Sequence, residues 1–171
     1  MATPTALPST FTANTVLPAA SLNLLRGAFR VLQVIRDTDA SDRSTTSTSY
    51  TDVTGVSVTI TPQATSNNVM LIATFTALVV NSSTGINEGL YQITDSSNNQ
   101  ISGGNCIVGT FQYTHSSGFL YQGVTLIGFV SPNSVSAQTY KLRFKAAGAN
   151  TTVYVNGGAA ETQLYAIELS A

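Results

Sequence analysis

Between Val56 and Thr61 every second residue is apolar: Val56, Val58 and Ile60 alternate with Ser57, Thr59 and Thr61. That two-residue period belongs to a strand with one face in a core and the other in water. Pro62, which has no N–H to donate to a ladder, ends the run, and Gln63–Asn68 is a polar turn segment. VMLIATFTALVV follows at residues 69–80 and is apolar at nearly every position. A half-wet strand and a buried strand joined by a Ser/Asn-rich turn predict the centre of an antiparallel sandwich.

The rest of the chain repeats this grammar. Met1–Thr15 is rich in Thr, Pro and Ala and reads as an extended arm with no core of its own. Leu17–Arg26 reads as one short helix, with Pro18 in its first turn, Gly27 just past its end, and Leu22 and Leu25 on one face. Ala28–Ile35 switches to strand character, and Asp37–Ser49 is a polar loop. After Val80, NSSTG leads into NEGLYQIT, and DSSNN forms a hairpin tip before QISGGNCIV. Loops are expected at Thr84–Glu88 and Thr114–Gly118. GFLYQGVTLIGFV, TYKLRFKA, TVYVN and TQLYAIELS complete nine or ten strands from Ala28 onward. The expectation is an all-β, jelly-roll-like antiparallel β-sandwich at residues 28–171, preceded by an extended N-terminal arm and one short helix at 1–27.

Only 9% of the 171 residues are charged and the net charge is −1, against about 25% charged residues in ordinary soluble domains. Ser, Thr and Asn carry the polarity instead. Such a chain reads as a subunit whose surface is partly covered by partners. The charge balance implies no general attraction to nucleic acid or anionic membrane. No run of about 20 apolar residues predicts a membrane helix, and MATPTALPSTFTANT has neither the basic nor the apolar region of a secretory leader. Synthesis in a cytoplasm is therefore expected.

Candidate chemistry is sparse. Asp37-x-Asp39-x-Ser41 resembles the start of a calcium loop, but Asp42 stands where Gly is needed and Thr48 where a bidentate Glu should close it. His115 is the single histidine and sits in a loop, with no paired carboxylates or Ser–His–Asp order in shared context. Cys106, the single cysteine, lies in the apolar run CIV and reads as a small core hydrophobe. Gly103 and Gly104 read as a turn, since no Lys or helix follows to make a phosphate cradle. No catalytic residue, metal or cofactor is assigned, and the chain reads as a non-enzyme. The sharpest electrostatic feature is Lys141, Arg143 and Lys145 on one face of a strand, opposite Leu142, Phe144 and Ala146. Such a stripe is either a solvated face or a contact for an acidic partner.

Two stretches resemble structural proteins of tailed bacteriophages. FTANTVLPAASLN is similar to a motif near the start of many fibre and virion proteins, matching at Phe11, Ala13, Val16, Leu17, Ala19, Leu22 and Asn23. It departs at Asn14, where Gly is usual, and at Pro18, where Thr is usual. VLQVIRDTDASDRSTTSTSYTDVTGVSVTITP resembles the opening of a phage β-module, with Asn68 in place of its usual Lys, and YKLRFKAAGANTTVYVNGG with LYAIELSA resembles its close. The resemblance implies a virion component, commonly a homotrimer, with an N-terminal anchor and a β-sandwich head.

On that basis Phe11, Val16, Leu17, Leu22 and Asn23 are expected to dock on the major capsid protein or another virion protein. Phe119, Tyr121, Ile127 and Phe129 form one apolar face of a strand that is apolar on both sides, and are expected at an oligomer contact. With one arm, one head and no shaft or repeat, a capsid decoration or cement protein is the first expectation. A short tail fibre touching a host glycan through the loops at Thr84–Glu88 and Thr114–Gly118 is the alternative.

Overall fold

A computed structural model describes residues 30–81, 85–112, 118–156 and 160–170; side chains at 81, 85–87, 110–112 and 118–120 are not described. The expected arm and helix at 1–27 lie outside these residues. What is described is all-β: ten strands and no helix. They are β1 Val31–Asp39, β2 Arg43–Thr45, β3 Thr51–Ile60, β4 Asn68–Asn81, β5 Gly85–Asp95, β6 Gln100–Gln112, β7 Gly118–Val130, β8 Gln138–Ala146, β9 Thr151–Val155 and β10 Thr162–Leu169.

These strands make two antiparallel sheets packed as a sandwich. One runs β1-β10-β4-β9-β2 with β7 also on β4, and the other runs β3-β8-β5-β6. The long strand β4 organises the first sheet. One of its edges pairs along its length with β7, from Val69↔Val130 to Asn81↔Gly118. Its other edge is shared end to end by β10, opposite Asn68–Thr74, and β9, opposite Ala77–Asn81. This placement accounts for 69–80 being apolar at nearly every position: β4 has strands on both edges and a core beneath it.

The core lies between the sheets. Val56, Val58 and Ile60 point inward and are buried, as their alternation requires, while Ser57 and Thr59 are exposed. Leu71, Phe75 and Val79 of β4 meet Tyr91, Ile93, Leu142 and Phe144 of the facing sheet within one cluster. Each such side chain, fully buried, contributes about 1.5–3 kcal/mol. Tyr91 crosses the core: its ring lies 5.0 Å from that of Phe75, and its hydroxyl donates to the Tyr154 carbonyl oxygen at 3.0 Å.

Three segments differ from the sequence reading. Asp37–Ser49 is not one loop, because β1 continues to Asp39, paired opposite Thr162, and Arg43–Thr45 forms β2 against Val153–Val155. Polar residues enter these strands because both lie at sheet edges, where side chains reach water. Gly85–Glu88, expected in a loop, is strand, held by pairing with Gly109–Gln112. Gly103 and Gly104 form no turn; they sit inside β6 at a bulge, where the register with β5 slips between Gln92 and Thr94. The reason is space. Gly103 has φ +77°, and a Cβ there would sit 2.9 Å from the Ile127 carbonyl oxygen; a Cβ on Gly128 would sit 2.8 Å from Ile101 Cγ2. The glycines let the edges of β6 and β7 close one side of the sandwich. On the other side β1 meets β3, where the Ser57 amide donates to Asp37 and the Gln33 side chain donates to the Thr61 carbonyl oxygen.

Candidate assembly surface

A two-layer sandwich covers one face of each sheet, and the outward face is where function must be sought. On the β4 sheet the alternation that buries Leu71, Phe75 and Val79 turns Met70, Ile72 and Leu78 to the opposite face, where Met70 and Ile72 are partly exposed and Leu78 is covered. Cross-strand register then aligns outward residues in rows. Phe129 stands beside Met70, Met70 beside Ile167, and Ile167 beside Val34. In the next row Ile127, Ile72 and Tyr165 are neighbours and Arg36 ends the line. Among the described residues of these two rows Arg36 is the only charged one.

Of the four residues expected at an oligomer contact, Tyr121, Ile127 and Phe129 project outward from β7 and are 54%, 55% and 45% exposed. The Phe119 side chain lies outside the described residues. Val31 and Val34 of β1, 55% and 52% exposed, extend the apolar area to the far edge of the sheet. The sequence reading missed Val34, Tyr165 and Ile167. The signal was present in LYAIEL, which is apolar at four successive positions, but its alignment beside β4 depends on pairing across about a hundred residues.

The second sheet presents a different outward face. Lys141, Arg143 and Lys145 alternate with buried Tyr140, Leu142, Phe144 and Ala146, as expected. The fold gives these cations internal partners. Lys141 Nζ and Arg143 Nε donate to the two oxygens of Asp52, at 2.8 and 2.7 Å, and Arg143 Nη2 donates to the Tyr50 carbonyl oxygen at 2.7 Å. Lys145 Nζ stands 4.8 Å from the centre of the Tyr50 ring, a cation–π contact. Burial pushes the Asp52 pKa up, but Lys141 and Arg143 outweigh it and hold the carboxyl below its ordinary value. The stripe therefore carries a formal charge of +3 offset by one carboxylate.

Beside it, a groove of about 440 Å³ is lined by Asp42, Arg43, Ser44, Thr45, Thr51, Asp52, Thr54 and Phe144. Of its charged groups, Asp52 is engaged by the two cations and Arg43 by Asp39 at 2.9 Å, while Asp42 is exposed. The Asp39 carboxyl is held low chiefly by the Ser41 amide, against burial, and with help from Arg43. The calcium-like start of this segment is thus spent on local hydrogen bonds and an ion pair. No group of three metal-ligating side chains occurs among the described residues.

Cys106 is half-buried against the core, and burial pushes its thiol pKa up, away from the nucleophilic range. His115 and the docking candidates Phe11, Val16, Leu17, Leu22 and Asn23 lie outside the described residues. One buried ionisable group was not singled out from sequence. Glu168 of β10 is fully buried and accepts hydrogen bonds from Gln33 Nε2, the Gln63 amide and Asn67 Nδ2, each at 2.6 Å. It plugs one end of the sandwich.

No protein-family model matches this chain, and no curated protein matches it.

Proposed function

We propose that this chain is a structural protein of a tailed-bacteriophage particle, assembled in the host cytoplasm, and that it decorates and cements the capsid. The observation that carries the reading is the pairing of the FTANTVLPAASLN and YTDVTGVSVTITP resemblances with a single compact sandwich. A decoration protein needs an anchor and a head, and the two resemblances fall in the corresponding parts of the chain. The segment at 1–27 would attach to the major capsid protein or another virion protein. The sandwich would associate with itself, three-fold in the proposed form.

Cementing follows from linkage. A protein that binds the closed shell more tightly than the opened one stabilises the closed shell by that difference in affinity. The low charge of the chain suits this role, since little of its surface is organised to stay free in water.

The test is the protein's position in a density map of the intact particle. The expected result is density at repeated capsid-lattice points, such as local three-fold positions. A few copies confined to the tail would replace this reading with a short tail fibre contacting a host glycan.

A further inference from the structure

We infer that the outward face of the β4 sheet, centred on Val34, Met70, Ile72, Ile127, Phe129 and Ile167, is the surface through which copies of this chain bind one another. The inference rests on the self-association included in the proposed function, and it names the face. Three observations lead to it.

The first is size. Val34, Ile127 and Phe129 are each about half exposed, and with partly exposed Met70, Ile72 and Ile167 they put six apolar side chains in two adjoining rows on one open face. The largest open apolar patch on a monomer is commonly about 300–600 Å² and is often a functional contact. A stable contact uses about 800 Å² per partner, with about two-thirds of it apolar when the contact is between copies. The patch therefore offers an apolar centre around which such a contact can form.

The second is charge. Arg36 is the single charged residue in the two described rows, so a partner recognised through ion pairs has almost nothing to hold here. The occupant must bring an equally uncharged face. The chain's own net charge of −1 sets up almost no repulsion between copies.

The third is the contrast between the two sheets. Outward positions on the other sheet carry Asp52, Lys141, Arg143 and Lys145. Packing that face into an apolar contact would strip water from four charged groups, whereas packing the β4 face removes water from aliphatic and aromatic carbon. Like against like is then the β4 sheets of the copies gathered around a shared symmetry axis, three-fold in the proposed form, with neighbouring parts of the same face meeting across each contact.

The test uses the full chain and measures its mass by light scattering across a micromolar concentration series. The expected result is a multiple of 17.9 kDa for the natural sequence, falling to the single-chain mass in the Ile127→Asp/Phe129→Asp double variant with an unchanged far-ultraviolet spectrum. Both side chains are about half exposed, so the variant should fold. Should it unfold, Ile127→Thr with Phe129→Ser is the milder pair, and it should raise the dissociation midpoint at least tenfold. A natural chain at 17.9 kDa would overturn the inference, as would a multimer whose midpoint neither pair moves. A monomer found at capsid-lattice points would reject this face while leaving the virion role standing.

Discussion

Asn67 and Glu168, 101 residues apart in the chain, are joined by a 2.6 Å hydrogen bond in which the amide donates to a carboxylate with no exposed surface. Gln33 and the Gln63 backbone complete the set of donors, so the β3–β4 turn, β1 and β10 are tied at one carboxyl group. Neutral donors satisfy the charge, and no cation is among the three.

Acid should therefore weaken this end. Burial alone would raise the Glu168 pKa, but the bonds from Asn67, Gln33 and Gln63 outweigh it, and the carboxyl sits below its ordinary value. A depressed folded pKa gives stability that is present above the unfolded value of 4.5 and lost as pH falls through the folded one. The melting temperature should fall below about pH 4.5, where an unfolded Glu begins to protonate. Glu168→Gln should cost about 1–3 kcal/mol at neutral pH, because an NH₂ then faces a donor in a buried site. It should also flatten the acid limb. Thermal melts of both proteins from pH 3 to 7 check this, and parallel acid limbs would count against the plug.

The glycine closure between β6 and β7 predicts an asymmetry. Gly103→Ala forces a side chain onto φ +77° and into the Ile127 carbonyl oxygen, neither of which can yield cheaply. It should cost about 1–3 kcal/mol. Gly123→Ala on β7, where nothing lies within 4 Å of the new Cβ, should be near neutral. Urea midpoints of the two variants should separate clearly.

Asp52 restrains the basic stripe. Removing its charge with Asp52→Asn should lower stability by at most about 1 kcal/mol, since the pair is partly exposed. It should also strengthen attachment to an acidic surface. The triple change of Lys141, Arg143 and Lys145 to Gln should do the reverse, with the difference fading as salt shortens the screening length below about 8 Å. Particle-binding assays over a salt series decide between a contact and a solvated face, which would leave all three proteins binding alike.

Removal of Met1–Thr15 should leave the sandwich folded, because that stretch is rich in Thr, Pro and Ala and its sequence offers no core of its own. The truncated protein should no longer join the particle. Copy number per particle, measured by quantitative mass spectrometry, is the readout, and unchanged incorporation would end the docking role.

The alternation at Val56–Ile60, the double-sided apolarity of 69–80 and the Asp95–Asn99 hairpin tip were legible because each depends on neighbours within a few residues. Strand period, the Pro62 stop and the inward and outward sets of β4 and β8 follow from backbone geometry alone, and so sequence by itself determined an antiparallel β-sandwich. Whether Gly103 makes a turn or a bulge was decided by how closely β7 approaches it. That Lys141 and Arg143 share one carboxylate was decided by β3 pairing with β8 across about ninety residues. The row Phe129–Met70–Ile167–Val34 exists only once β7, β4, β10 and β1 lie side by side in register. Local periodicity tells each side chain which face it takes, but the composition of a face is a property of several strands at once, and only tertiary pairing assembles it.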